Sequence, residues 1–206
     1  MREEKRERRR IGFFGGTFDP IHSGHLQIAR EAARTFALDR VLFIPAANPP
    51  HKTAAALAPY ADRLRMVEIA CAPYPNFSAS ALESGPDKSY TVDTLERARQ
   101  GSFRGDELFF LIGADAFDEI ETWKRWRDVL KLTEFIVISR PGVAYRGPEN
   151  ARVHRLNDVR IAVSSSSIRA RLAGGALTPE LPAEVCEYIR EHGLYGPGTR
   201  EPTALP

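Results

Sequence analysis

The sequence predicts one doubly wound, Rossmann-like α/β domain with a mostly parallel sheet and helices on both faces. Three observations lead there. Short, continuous apolar runs alternate with segments of helical spacing, the pattern of strands buried on both faces between crossover helices. Glycines, serines and histidines fall directly after the apolar runs, where open α/β sheets bind ligands. No repeat and no interdomain linker interrupts the 206 residues, a length that suits one domain.

Taken in order, residues 10–15 (RIGFFG) form the first strand. Residues 24–37 follow with helical spacing of Leu26, Ala29, Ala33 and Phe36. A second strand over 40–45 closes at Pro45, and 46–59 form a loop that Asn48-Pro49-Pro50 keeps out of regular structure. A helix over 60–72 and a strand over 75–82 come next. Residues 90–99 form a helix, 107–112 a strand, 122–131 a helix and 134–139 a strand. A Pro/Gly loop covers 140–150, and 151–163 contain one or two short strands. Helices over 166–173 and 182–192 complete the fold, with Gly193 as the C-terminal cap. The domain thus spans 10–195, between a charged extension over 1–9 and a tail over 196–206. The extension carries charge without an apolar core, so it does not read as a signal peptide.

Composition removes several classes of function. A formal net charge of +2 does not call for a nucleic-acid partner. No apolar run approaches the ~20 residues that span a bilayer. The two cysteines, Cys71 and Cys186, make neither a Cys-x-x-Cys pair nor a cluster with histidine, so no structural zinc site or disulfide framework is expected. A reducing cytoplasm is the expected compartment.

The first chemistry-bearing segment is Gly15-Gly16-Thr17-Phe18-Asp19-Pro20-Ile21-His22-Ser23-Gly24-His25, between the first strand and the first helix. Gly15 and Gly16 allow close approach of backbone to ligand. A helix start offers N–H groups and a positive dipole end, which suit phosphate. His22 and His25, three apart, can donate to a triphosphate and stabilise charge on departing pyrophosphate. The bland alternatives are a metal pair or ordinary capping residues. The second segment, Val163-Ser164-Ser165-Ser166-Ser167-Ile168-Arg169, joins a short strand to a helix. Its serines cap the helix and build an anion cradle. Arg169 in the first turn would oppose the dipole, which an anion would relieve.

These segments resemble the nucleotidyltransferases with a His-x-Gly-His motif, here His22-Ser23-Gly24-His25. The longer GGTFDPIHSGHL looks like the nicotinate mononucleotide adenylyltransferases in particular. The serine segment is similar to the family's Ile-Ser-Ser-Thr-x-Ile-Arg, with Val163 for Ile and Ser166 for Thr. The resemblance covers about 11–195 through five motifs in order.

The resemblance implies transfer of the AMP part of ATP to nicotinate mononucleotide, with His22, His25 and Arg169 as catalytic residues. It implies an ATP site of Gly15, Gly16, Thr17, Phe18, His22, His25, Gly113, Asp115, Ser164, Ser165, Ser166, Ile168 and Arg169. For the acceptor it implies Gly16, Phe18, His51, Lys52, Ser89, Tyr90, Thr91, Asp115 and Trp123. Within that set the start of the helix at Tyr90-Thr91 would hold the pyridine carboxylate, and Trp123 would stack on the ring. Read without the resemblance, Asp115 serves a ribose hydroxyl or the next helix cap equally well, and Trp126 packs. Mg²⁺ is expected on the ATP phosphates, with no metal held by the protein alone. Partners are ATP and nicotinate mononucleotide, with no membrane, no nucleic acid, and a homo-oligomer as an open option. Two rivals stay open: the same chemistry on nicotinamide mononucleotide or pantetheine phosphate, and a non-catalytic nucleotide- or RNA-binding module.

Overall fold

The structure, a computed structural model, describes residues 8–48, 58–85, 88–139, 144–157, 159 and 162–196. Six strands form one all-parallel sheet: β1 (Arg10–Gly16), β2 (Arg40–Pro45), β3 (Phe77–Ala79), β4 (Glu107–Gly113), β5 (Glu134–Ile138) and β6 (Val153–Leu156). Their spatial order is β3-β2-β1-β4-β5-β6. The chain therefore builds outward from β1 in one direction, returns, and builds outward in the other from β4.

Alternation along the strands sorts side chains into two cores. Phe14, Phe109 and Leu111 face one layer, and Phe13, Leu108, Phe110 and Ile112 face the other. The first layer receives α1 (Ser23–Thr35), α2 (Tyr60–Cys71), α6 (Ser165–Ala173) and α7 (Ala183–Glu191) through Ala29, Met66, Ile168 and Val185. The second receives α3 (Thr91–Gln100), α4 (Ala114–Asp118) and α5 (Trp126–Leu132) through Leu95, Phe117 and Val129. Each fully buried aliphatic or Phe side chain contributes roughly 1.5–3 kcal/mol. The two-layer covering explains why the strands read as unbroken apolar runs.

The expected helix over 122–131 is divided. After α4 comes a 3-10 turn over Ile120–Thr122, and α5 starts only at Trp126. Arg125, in the left-handed region at φ 51°, makes the break. The strand expected over 75–82 contracts to β3, and among the described residues of 151–163 one strand forms, β6. Gly193 takes φ 59° just past α7, as a C-terminal cap requires. Arg9, at the end of the charged extension, is held by Asp106 at 2.6 Å, and its carbonyl accepts the Glu107 N–H at 2.8 Å.

The register creates the crevice. β1 stays paired with β2 to its last residue, Gly16↔Pro45, while β4 stays paired with β5 to Gly113↔Ile138. Between β1 and β4 the ladder ends earlier, at Phe14↔Leu111. The sheet therefore opens between Gly15-Gly16 and Ile112-Gly113, at the carboxyl ends where the strand order reverses.

Candidate active site

One wall of the crevice is the loop from β1 into α1. A Cβ on Gly16 would lie 2.9 Å from the Phe18 ring, so glycine is required for the loop to fold back on itself. Phe18 takes φ 48° and is 2% exposed, packed against Phe14, Phe43 and His25. Its side chain belongs to the core, so only its backbone is available to a ligand. Ile168 is likewise fully buried.

The loop is held from behind by a buried arginine. Arg63 of α2, 2% exposed, donates to the carbonyls of Thr17 at 2.8 Å, Ala58 at 3.0 Å and Ala47 at 3.4 Å. Its guanidinium thus joins the β1–α1 loop to the segment after β2. Nothing in the periodicity of α2 marks this arginine as interior.

His22 and His25 open α1 together. Their rings stack with centroids 3.8 Å apart and planes at 26°. The His22 backbone N–H donates to His25 Nδ1 at 3.2 Å. That nitrogen therefore carries no proton, and in neutral His25 the N–H sits at Nε2, a donor suited to a phosphate oxygen. Burial drives the His22 pKa down to about 4, partly opposed by Glu180, and burial with its neighbour His22 holds His25 well below the usual imidazole range. Both rings are neutral donors at neutral pH. The helix start is less open than the sequence implied, because the Ser23 N–H is taken by the Glu180 carbonyl at 2.8 Å.

The serine segment docks on the same loop. Ser164 caps α6 by accepting the Ser167 N–H at 3.2 Å, and Ser165 Oγ donates to the Pro20 carbonyl at 3.1 Å. Ser166 is exposed. Arg169 lies in the second turn of α6, not the first, so the opposition to the helix dipole expected from sequence does not arise. What holds it is Asp19. Arg169 Nη1 donates to the Asp19 carbonyl at 2.6 Å and lies 3.4 Å from Asp19 Oδ2.

The opposite side of the crevice is a pocket of about 490 Å³. Ser89, Tyr90, Thr91, Trp123, Lys88, and Lys124 line it, together with residues of α4 and the 3-10 turn. Trp123 is half-buried, edge-on to Phe110 at 6.0 Å. Lys124 lies 4.4 Å over the Tyr90 ring and pairs with Asp93 at 2.9 Å. Ser89 does not cap α3. Its Oγ accepts the backbone N–H groups of Ala47 and Asn48 at 3.0 and 3.2 Å, tying α3 to the end of β2. Behind it the carboxyl of Glu83, raised in pKa by burial, accepts from Thr94 Oγ1 at 2.8 Å and from the Ser89 hydroxyl. Glu83 and Arg63 are the site-supporting residues that sequence reasoning missed.

Gly113 precedes α4 as its N-cap residue, and Asp115 stands exposed in the first turn at the mouth of the crevice. Asp115 is not the side-chain cap of that helix. Trp126 packs against the second core layer, as expected. His51 and Lys52 lie outside the described residues. The remaining sequence-derived positions lie on the β1–α1 loop, at the start of α1, in and just before α6, just before and at the start of α3, from the end of β4 into α4 and after the 3-10 turn, with the side chains of Phe18 and Ile168 turned into the core.

Residues 13–171 match the model of the cytidylyltransferase-like family. A protein of Solibacter usitatus named "Probable nicotinate-nucleotide adenylyltransferase" is 53% identical over 90% of this chain and 99% of its own. The chain belongs to this family. A relative of the same name from Thermus thermophilus is 44% identical over 90% of this chain and 99% of its own. Among solved structures, the fold of a Plasmodium falciparum protein described as "nicotinic acid mononucleotide adenylyltransferase complexed with NaAD" superposes with a TM-score of 0.75. It is 19% identical and the match covers 91% of this chain and 97% of that one. A second structure of that protein, described as complexed with APC, gives a TM-score of 0.73 at 18% identity, covering 91% and 97%. Among the described residues no helix is long and apolar enough to cross a membrane.

Proposed function

We propose that the protein transfers the adenylyl group of ATP to nicotinate mononucleotide, forming nicotinic acid adenine dinucleotide and pyrophosphate, a step of NAD biosynthesis. One observation carries this reading. The phosphate-suited donors follow the carboxyl end of β1, and the Trp123 pocket lies beside the same end of the sheet, tied to the end of β2 through Ser89 and to β4 through Trp123 and Phe110. The names of the family members point the same way.

The chemistry needs little from the protein beyond placement and charge. The 5′-phosphate of the acceptor carries a second pKa near 6, so it is an anion at neutral pH and needs no base. One of its oxygens forms a bond to the α-phosphorus of ATP as the bond from that phosphorus to the β-phosphate oxygen breaks. The electron pair leaves with pyrophosphate. Alignment of the two phosphates supplies on the order of 7–11 kcal/mol of barrier reduction. Neutral His22 and His25 donate to the triphosphate, and Arg169 faces the charge that grows on the leaving group. Gly15, Gly16 and the backbone of Phe18 give the nucleotide close access, with Thr17 beside them. The Ser164–Ser166 turn and Ile168 backbone lie on the ATP side, with Gly113 and Asp115 at the ribose. On the acceptor side, Trp123 stacks on the pyridine ring and the N–H groups at the start of α3 take its carboxylate. His51 and Lys52 serve the phosphate of either substrate.

Mg²⁺ enters with ATP as part of that substrate, held by phosphate oxygens and water. Among the described residues no three His, Cys, Asp or Glu side chains converge as a metal site. The reading carries with it a cytoplasmic location, where ATP and pyridine nucleotides are handled.

The test is pyrophosphate release from ATP and Mg²⁺ with nicotinate mononucleotide, run beside nicotinamide mononucleotide and pantetheine phosphate. Release with the acid form alone is expected. Equal release with the amide would withdraw the carboxylate assignment, and release with pantetheine phosphate alone would withdraw the acceptor. No release with any of the three would overturn the reading.

A further inference from the structure

A residue from the far end of the chain reaches the phosphate side of the crevice. Tyr195, just past α7, donates its hydroxyl to Asp19 Oδ1 at 2.6 Å across 176 positions. It takes φ 60° to do so, a conformation that a non-glycine residue adopts only when its surroundings fix it. Asp19 is 1% exposed. Its Oδ1 also accepts the Ala58 N–H at 3.1 Å, and its Oδ2 faces Arg169 Nη1 at 3.4 Å.

The arrangement divides the work of the two ends of Asp19. One carboxylate oxygen is saturated by Tyr195 and Ala58, which fixes the plane of the carboxylate. The Asp19 carbonyl then accepts Arg169 Nη1 at 2.6 Å, and Oδ2, which has no hydrogen-bond partner among the described residues, adds an ion-pair contact to it at 3.4 Å. Among the described residues the guanidinium has no other partner, so Nε and Nη2 are left for an anion. Arg63 approaches the same carboxylate from behind; burial lowers its pKa, and Asp19 and Tyr195 partly oppose this. Arg63 stays buried behind the loop, so Arg169 is the guanidinium left on the crevice side.

We propose that Tyr195 is a positioning residue for adenylyl transfer, acting through Asp19 to hold Arg169 in the orientation that meets the triphosphate. The proposal rests on the function proposed above. Without the phenol the carboxylate turns, Arg169 loses its ion-pair contact with Oδ2, and the arginine samples rotamers that do not face the ligand.

The experiment is a mutant cycle on the full chain. Tyr195→Phe removes one oxygen and keeps the ring. Loss of a hydrogen bond to a charged group corresponds to roughly 10–150-fold; because Tyr195 acts through Asp19, turnover and ATP affinity should each fall by about the lower factor, tenfold, or less. The KM for nicotinate mononucleotide should stay within about twofold, since the acceptor pocket lies across the crevice. In an Arg169→Lys background the same change should have almost no further effect, because the group it positions is gone. Asp19→Asn should reproduce the loss and show the same dependence on Arg169. It also serves in place of Tyr195→Phe if that variant does not fold. Where Arg169→Lys is too slow to assay, the cycle is read in the dissociation constant of Mg-ATP. Wild-type kinetics in Tyr195→Phe, or equal losses in both backgrounds, would overturn the proposal. Failure of the wild type to release pyrophosphate would instead strike the functional reading, while ATP affinity of the four proteins of the cycle would still report on Tyr195.

Discussion

His25 Nδ1 accepts the backbone N–H of His22 at 3.2 Å while the two imidazole rings stack at 3.8 Å. Neither ring can gain a proton cheaply. Protonating His25 at Nδ1 would break the bond that closes the helix start, and charging either ring would place a cation against its neighbour. Glu180 is the carboxylate that offsets this for His22.

A pH dependence of stability follows. The His22 pKa is lowered in the folded protein to about 4, against about 6.5 in the unfolded chain. The unfolded state therefore binds more protons between those values. The contribution of neutral His22 is fully present above pH ~6.5 and is lost as pH falls toward 4, at up to about 1.4 kcal/mol per pH unit. Thermal melts from pH 7.5 to 4.5 should show this decline, and a His22→Asn variant should show a shallower one. Identical slopes in the two proteins would refute the assignment.

The same pair should bind ATP without taking up protons. Both rings donate as neutral imidazoles, and protonating His25 would break its bond to the His22 N–H. Calorimetric titration of Mg-ATP at pH 7.5, in buffers of different ionisation enthalpy, should report a buffer-independent enthalpy. Net proton uptake that disappears in His25→Ala would show that a charged ring, not a neutral donor, meets the phosphates.

Removing His25 should damage the chemical step more than the fold. A well-placed donor to developing charge is worth ~2.7–4 kcal/mol, roughly 10²–10³ in turnover. His25→Ala also forfeits a cap-like contact worth about 1 kcal/mol. Steady-state kinetics paired with a melting curve separate the two effects. Turnover within tenfold of wild type would remove His25 from the mechanism.

Trp123 gives a different signature. It stands half-buried at the pocket, braced edge-on by Phe110, and stacking on a ring is worth ~1–3 kcal/mol by alanine substitution. Trp123→Ala should raise the KM for nicotinate mononucleotide by roughly 10–100-fold, with the KM for ATP nearly unchanged. A parallel rise in both constants would indicate a general loss of structure at the 3-10 turn.

At Gly16 the smallest side chain should be too large. Its Cβ would sit 2.9 Å from the Phe18 ring, and that ring is 2% exposed between Phe14 and Phe43 with little room to yield. Gly16→Ala should cost about 1–3 kcal/mol, visible as a lower urea midpoint, and should weaken ATP binding by displacing the loop. A midpoint equal to wild type would show that the Phe18 ring adjusts freely.

The strands were legible because each is a short apolar run closed by a turn residue. β1 and β2 fall within a residue or two of the runs that announced them. The placing of Gly15-Gly16 at the end of β1 and of His22 and His25 together at the start of α1 was legible because a tight turn and a three-residue spacing directly follow an apolar run. What the sequence hid depends on contacts between distant positions. Arg63 sits at an ordinary helical position, and nothing local says that its fork will reach three carbonyls. The tie from Tyr195 to Asp19 spans nearly the whole chain. The division of 122–131 turns on the left-handed backbone of Arg125, which no glycine or proline signals. Arg169 moved from the first to the second turn of its helix because Ser165, read as outside, already has helical backbone.

The pairing of β1 with β4 has a consequence during synthesis. β1 can pair with β2 as soon as the first 45 residues are free, but its other edge waits for Glu107–Gly113. At ~5–20 residues per second, that edge stands bare for several seconds on the ribosome, with Phe13 and Phe14 on its two faces. A nascent chain of this kind is most exposed to chaperones, and to its neighbours on a polysome, in the interval before β4 emerges. The strand that later forms one side of the crevice thus has the inner edge that waits longest for its partner.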